Sequence, residues 1–213
     1  MTSLEEWDLC DKVKAMCFDT TSSNTGCKNG SCILLEQRLQ HKLLYLACRH
    51  HVLEIIIGAA FEKSVGGSSG PDVLLFKRLK EQWSFMNQGQ LKPGPSSEYV
   101  QSILTPIRDN ILEFAHFQLQ EMQCRDDYRE FLELSIIFLG DIPARGVRLI
   151  VPGEMHHARW MSKILYAIKI WMFRGQFKLP TGEETGLRDI AVFSVHDHLN
   201  AWMMAPLATS ALQ

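Results

Sequence analysis

The chain lacks any run of eighteen apolar residues, and it opens on neither a basic segment nor a long apolar one. These absences argue against a membrane-spanning helix and a secretory leader, so the expected setting is intracellular, nuclear or cytoplasmic, with no membrane partner. Six cysteines in 213 residues are too sparse for a disulfide scaffold, which fits reduced thiols. An excess of positive charge is also missing. The formal net charge of −2 leaves no electrostatic footprint for nucleic acid over the whole chain, and strong autonomous DNA binding is not expected. No internal repeat stands out, and no segment is biased enough to be read as disordered. What is present is ordinary globular material, 46% apolar and 22% charged, enough for one domain or two small ones.

The most informative stretch is Val13-Lys14-Ala15-Met16-Cys17-Phe18, an apolar run that reads as a strand buried on both faces. It ends on a lone carboxylate, Asp19. Thr20-Thr21-Ser22-Ser23-Asn24-Thr25-Gly26 follows, which is turn chemistry. A second apolar run, Leu43 to Ala47, leads into Cys48-Arg49-His50-His51. Adjacent strands would then deliver Asp19 and the Cys48/His51 pair to one sheet edge, where open α/β sheets place their ligands. The competing reading is local: Asp19 caps a turn or helix, and Cys48 is a buried apolar thiol.

Taken together, a strand ending in Asp, an Asn-containing polar loop, a helix and a strand ending in Cys-x-x-His resemble the RNase H-like core of hAT-type DNA transposases. Arg159-Trp160, within His156 to Ser162, is similar to the Arg-Trp element that starts that family's helical insertion domain. Trp202-Met203-Met204-Ala205-Pro206 resembles a segment further into the same insertion. The match spans residues 5 to 210, and the order and spacing of short motifs carry it. The resemblance implies a two-metal active site built on three acidic residues, with Asp19 at the second position and Cys48 and His51 packed behind it as support. Phosphoryl transfer by that route needs carboxylates from several elements, holding metals about 3.5–4 Å apart. Only Asp19 matches; the family's first Asp would precede Met1 and its Glu would follow Gln213. The chain therefore reads as a catalytically inactive, transposase-derived slice that needs no cofactor, with Mg²⁺ or Mn²⁺ relevant only to a complete enzyme. The alternative is an active DNA transposase or nuclease, represented here by an incomplete chain. The partners implied are DNA, bound weakly with Arg159 toward the backbone, and a second protein copy.

The expected fold class is an α/β fragment, a partial RNase H-like sheet, followed by a mainly helical region, mostly α by residue count. Residues 1–66 are assigned to the core and 67–213 to the insertion domain. Helices are expected at Leu4–Leu9, Ile33–Leu39 and Val52–Phe61, and Val65 to Pro71 marks a break. Beyond it, Leu74, Leu75, Leu79, Gln82 and Trp83 form one helix face. Glu98–Cys124 reads as a helix kinked or broken at Pro106. Asp127 to Glu130 resembles a capping box before Phe131–Leu139, and the last helices fall at Met155–Phe173 and Leu187–Met203.

Other constellations have weaker standing. Cys27, Cys32, Cys48 and His51 make an accepted zinc ligand set, but Cys32 begins a helix and Cys48 ends a strand, so unligated thiols and a packed histidine are preferred. Glu54 beside His50-His51 lacks the second histidine of a zincin helix. His156, His157, His196 and His198 read as solvated or helix-terminal residues. Trp160, Ile164 and Ile168 share one helix face and are expected to pack. Lys163, Lys169 and Arg174 suggest a modest positive face that solvation explains equally well. Cys48 is expected to be buried, and His51 to approach Asp19 closely enough to orient it.

Overall fold

A computed structural model of the chain describes residues 2–66, 73–123, 125–153 and 159–206. It falls into two compact units. The first comprises residues 1–55 with 205–211, and the second 56–204 with 212–213.

The first unit begins with helix α1 (Thr2–Glu6) and strand β1 (Ala15–Phe18). Helix α2 (Ser22–Thr25) and helix α3 (Ser31–Leu39) lead to strand β2 (Leu44–Ala47) and the start of helix α4 (Arg49–Val65). β1 and β2 pair in parallel, with Ala15 opposite Leu44 and Phe18 opposite Ala47. Polar anchors ahead of the strands set this register. The Leu44 N–H donates to the Lys14 carbonyl (2.9 Å), and His41 Nε2 lies 2.9 Å from the Val13 carbonyl. Glu36, buried on α3, accepts the Leu43 N–H (2.8 Å) and the Lys42 ammonium (2.9 Å), tying the helix to the strand that follows. These hydrogen bonds hold the Glu36 carboxyl below its ordinary range, that from the Leu43 backbone foremost. Phe18 and Tyr45 meet edge to face at 5.6 Å across the pair.

The strand positions agree with the sequence reading, but the burial does not. β1 is at most half-buried and β2 is exposed throughout, with Leu44 at 67% and Leu46 at 52%. Parallel sheets normally carry layers on both faces. A two-stranded pair has no inner strand, so its apolar composition is not matched by burial. The described residues are mostly helical, and the sheet is this one pair.

The second unit is helical. It takes the C-terminal part of α4, then α5 (Leu74–Gln82), α6 (Glu98–Leu104), α7 (Arg108–Gln120), α8 (Asp126–Phe138), α9 (Arg159–Met172), α10 (Thr181–Phe193) and α11 (Leu199–Met204). α8 and α9 are its centre. Phe131 to Leu139 and Ile164 to Phe173 are buried without a break, the pattern of helices surrounded on all sides. α10 packs along α9, and Gly186 lets it approach α4: a Cβ there would stand 2.0 Å from the Ser64 carbonyl oxygen. A π-helical turn over Ser194–His198 joins α10 to α11.

Pro106 does end a helix. It has no N–H to donate, and the chain breaks between Leu104 and Arg108 into α6 and α7. Several details differ from the pattern-based reading: α1 ends at Glu6 rather than Leu9, α4 begins at Arg49 rather than Val52, and α10 begins at Thr181, six residues before the expected Leu187. On α5 the buried residues are Leu75, Phe76 and Leu79, while Leu74 is exposed, because the face is rotated by one position. The supposed capping box at Asp127 lies inside α8, whose first residue is Asp126. Asp127 instead receives the Arg125 guanidinium, from Nε at 2.9 Å and Nη2 at 2.5 Å. Pro71 and residues 155–158 lie outside the described residues.

Candidate functional site

β1 stops at Phe18, and Asp19 is the first residue beyond it. The Cys48 N–H donates to the Phe18 carbonyl (2.9 Å), so the ladder's last bond holds Cys48 beside the start of the Asp19 loop. The parallel pair thus brings Asp19 and Cys48 to its carboxyl-terminal edge, and His51 follows in the first turn of α4.

One oxygen of Asp19 organises the loop. Oδ1 accepts the Thr21 N–H (3.1 Å), the Thr21 hydroxyl (2.5 Å) and the Asn24 amide (2.7 Å). Because the Thr21 proton goes to Asp19, Ser23 Oγ, 2.9 Å away, donates to Thr21 Oγ1. The Ser31 hydroxyl then donates to the Ser23 carbonyl (3.1 Å), linking the loop to the start of α3. The Thr/Ser/Asn run of the sequence is this network. It holds the Asp19 carboxyl below its ordinary value of 3.8, through the Thr21 hydroxyl first, then the Thr21 N–H and Asn24, with a smaller through-space contribution from His51. Oδ2 has no hydrogen-bond partner among the described residues.

His51 does not orient Asp19 by a hydrogen bond. Its Nδ1 lies 3.4 Å from Glu54 Oε2, one turn along α4, and its effect on Asp19 is electrostatic. The helix begins at Arg49 and carries the ring toward its own i+3 neighbour. Cys48 is half-buried rather than fully buried, since the exposed sheet cannot cover it. Arg159 is the first residue of α9, and its side chain lies outside the described residues.

The donors at the strand end do not fit a two-metal centre. A hard divalent cation favours several oxygens, and this edge offers one open carboxylate oxygen beside a thiol and an imidazole, both softer ligands. Among the described residues, no group of three or more His, Cys, Asp or Glu side chains is placed to hold a metal ion.

A second charged cluster was not legible as one. Asp127, Glu130 and Glu133 are all buried on α8 and meet cations from three different places. Arg125 takes Asp127, Arg145 Nη1 lies 3.7 Å from Glu133 Oε1, and the Lys169 ammonium pairs with Glu130. The Lys169–Glu130 pair is the deepest, with side chains 1% and 4% exposed. Burial pushes the Glu130 carboxyl up and the Lys169 ammonium down, each toward its neutral form, and their mutual attraction opposes this. Lys169 Nζ also donates to the Ile150 carbonyl (2.7 Å), so it fastens the 141–153 segment to the core. Lys169 is therefore not part of a solvated positive face. Lys163 lies over the Phe61 ring (5.3 Å), and Arg174 stacks on Trp171 (3.7 Å). A usable signal did exist in the sequence: Asp127, Glu130 and Glu133 are spaced i, i+3, i+6 along a helix whose second half is largely apolar, so Glu130 and Glu133 call for buried partners.

Trp160, Ile164 and Ile168 pack as expected. The Trp160 ring lies 3.8 Å from that of Trp202, and His198 is enclosed with Phe131, Phe193 and both tryptophans. His198 is thus a core residue rather than a solvated one. Compared with known proteins, the chain matches no family model, no curated protein and no solved structure. No helix among the described residues is long and apolar enough to cross a membrane.

Proposed function

We propose that this chain is a transposase-derived segment with a partial RNase H-like core and a helical insertion, without phosphoryl-transfer activity of its own. The observation that supports the reading is the parallel pair β1–β2, with Asp19 leaving one strand beside Cys48, and His51 one turn beyond. That is the juxtaposition implied by the resemblance to hAT-type transposases. In this reading Asp19 is a vestigial metal-ligand position that now holds its loop. Cys48 and His51 are structural neighbours, and Arg159 provides a weak contact to the DNA backbone. The absence of phosphoryl transfer follows from chemistry: one carboxylate cannot clamp both the attacking and the leaving oxygen.

Calorimetric titration with Mn²⁺, together with a Mn²⁺-dependent plasmid-nicking assay, tests the reading on the wild type and on Asp19→Asn. The expected result is millimolar or weaker binding and no nicking by either protein. Micromolar binding that Asp19→Asn abolishes, or nicking that depends on Asp19, overturns it in favour of an active nuclease.

A further inference from the structure

An open cleft of about 650 Å³ lies in the helical unit, bordered by the segment before α6, the end of α9 and the first turns of α10. Three cations line it, Lys92, Arg174 and Arg188, against one carboxylate, Glu184. The other first-turn carboxylate of α10, Glu183, is engaged elsewhere by Arg78 at 3.0 Å. On a chain of net charge −2, this is a local positive excess.

The cations are held in place before any ligand arrives. Arg174 stacks on Trp171 and donates to the carbonyls of Lys92 (3.1 Å) and Trp171 (2.9 Å) and to the Ser96 hydroxyl (2.6 Å). Arg188 stacks on Tyr99 at 3.9 Å and is steadied by Asp189. The Lys92 side chain lies against Gly175, where a Cβ would stand 3.1 Å from Nζ, and its backbone N–H donates to the Met172 carbonyl. Such stacking and bonding remove the rotamer freedom that a binding arginine would otherwise lose.

Donor capacity is left over. Of the five N–H groups of Arg174, three are used, so Nε–H and one N–H of Nη2 remain without a partner among the described residues. Lys92 Nζ has no acceptor among them either. Ser97 precedes α6 without capping it, and the hydroxyls of Thr181 and Thr185 are likewise unengaged among the described residues. Trp171, 2% exposed, borders the cleft as the platform under the Arg174 guanidinium. Its indole N–H has no acceptor among the described residues but is itself buried, so the donors offered to the cleft are those of the cations and hydroxyls. Burial also lowers the Arg174 pKa, which marks the unfavourable desolvation that a bound anion would relieve.

We propose that this cleft is a binding site for a ligand carrying adjacent phosphoryl groups, held by Lys92, Arg174 and Arg188. Planar guanidinium forks and an ammonium match phosphoryl oxygens in charge and geometry. The hydroxyls of Ser97, Thr181 and Thr185 supply neutral donors to the same oxygens. The site lies wholly in the helical unit and does not depend on the strand-end reading of Asp19.

The test is calorimetry of the full chain with inorganic pyrophosphate, with Lys92→Gln and Arg188→Gln as variants. Neither variant removes a bond that closes the fold, and thermal melts check that both stay folded. Each is expected to weaken binding about tenfold, the loss of one charge-assisted contact. Binding should also weaken as KCl is raised. A second arm adds fluorescently labelled duplex DNA. If pyrophosphate displaces it and Lys92→Gln flattens its salt dependence by about one unit, the phosphates belong to a nucleic-acid strand. If pyrophosphate binds and the duplex does not, the ligand is a free phosphorylated molecule. The absence of pyrophosphate binding, or binding unchanged in both folded variants, overturns the proposal.

Discussion

Asp19 and Lys169 show how differently single charged residues can be read. Asp19 stands among hydroxyls and an asparagine in sequence, and those same residues are its hydrogen-bond donors in space. Its pKa is lowered in the folded chain, so the ionised form is favoured by folding. The associated stability is present above the unfolded value and disappears as pH falls through the lower folded value. NMR titration should place the Asp19 midpoint below 3.8. Thr21→Val should move it upward the most and His51→Ala less, in the order of the interactions removed. A midpoint at the ordinary value, or a larger effect from His51, would show that the loop network is not what holds the carboxylate. Lys169 gives no such local sign, because its partners Glu130 and Ile150 are distant in sequence.

At the scale of elements, α8 and α9 are joined by more than apolar packing. Removing one member of a buried ion pair leaves the other charged and desolvated, which costs about 3–5 kcal/mol. Replacing both with apolar residues removes that penalty. Lys169→Met should therefore lower stability by roughly that amount, and Lys169→Met with Glu130→Leu should recover most of it. The Ile150 carbonyl, left without its donor, limits the recovery. Urea denaturation of the four proteins in the cycle measures this, and simple additivity of the two single losses would refute the pairing. The division at Pro106 between α6 and α7 was legible because that residue's own chemistry sets it. The start of α8 was misplaced because Asp127 to Glu130 imitates a capping pattern that the Arg125 fork and the Lys169 pair override.

For the molecule as a whole, the two units should differ in stability. The helical unit encloses two central helices, whereas the sheet exposes Leu44, Tyr45 and Leu46 and has two strands. Few buried contacts and an open ladder mean that local opening requires little free energy. Hydrogen exchange should be fast at Val13–Phe18 and slow across Phe131–Phe138, with Tyr99–Phe117 also slower than the strand. Stronger protection of the strand than of Tyr99–Phe117 would contradict this ordering.

The sequence by itself determined the local elements. Apolar runs ending in turn residues placed both strands, Pro106 divided a helix, and the 164/168 spacing marked a buried face, because each depends on neighbours along the chain. It also carried the Asp19 loop, whose donors lie within five residues of the carboxylate. Tertiary structure alone decided burial and pairing. The strands look like core strands but lie exposed, since covering a sheet takes layers that no strand can specify for itself. Lys169 looks like a surface residue but is buried, since α9 is enclosed by other helices. The cleft exists only where Lys92, Arg174 and Arg188 meet from three separate segments, and the field of converging charges is a property of the folded chain.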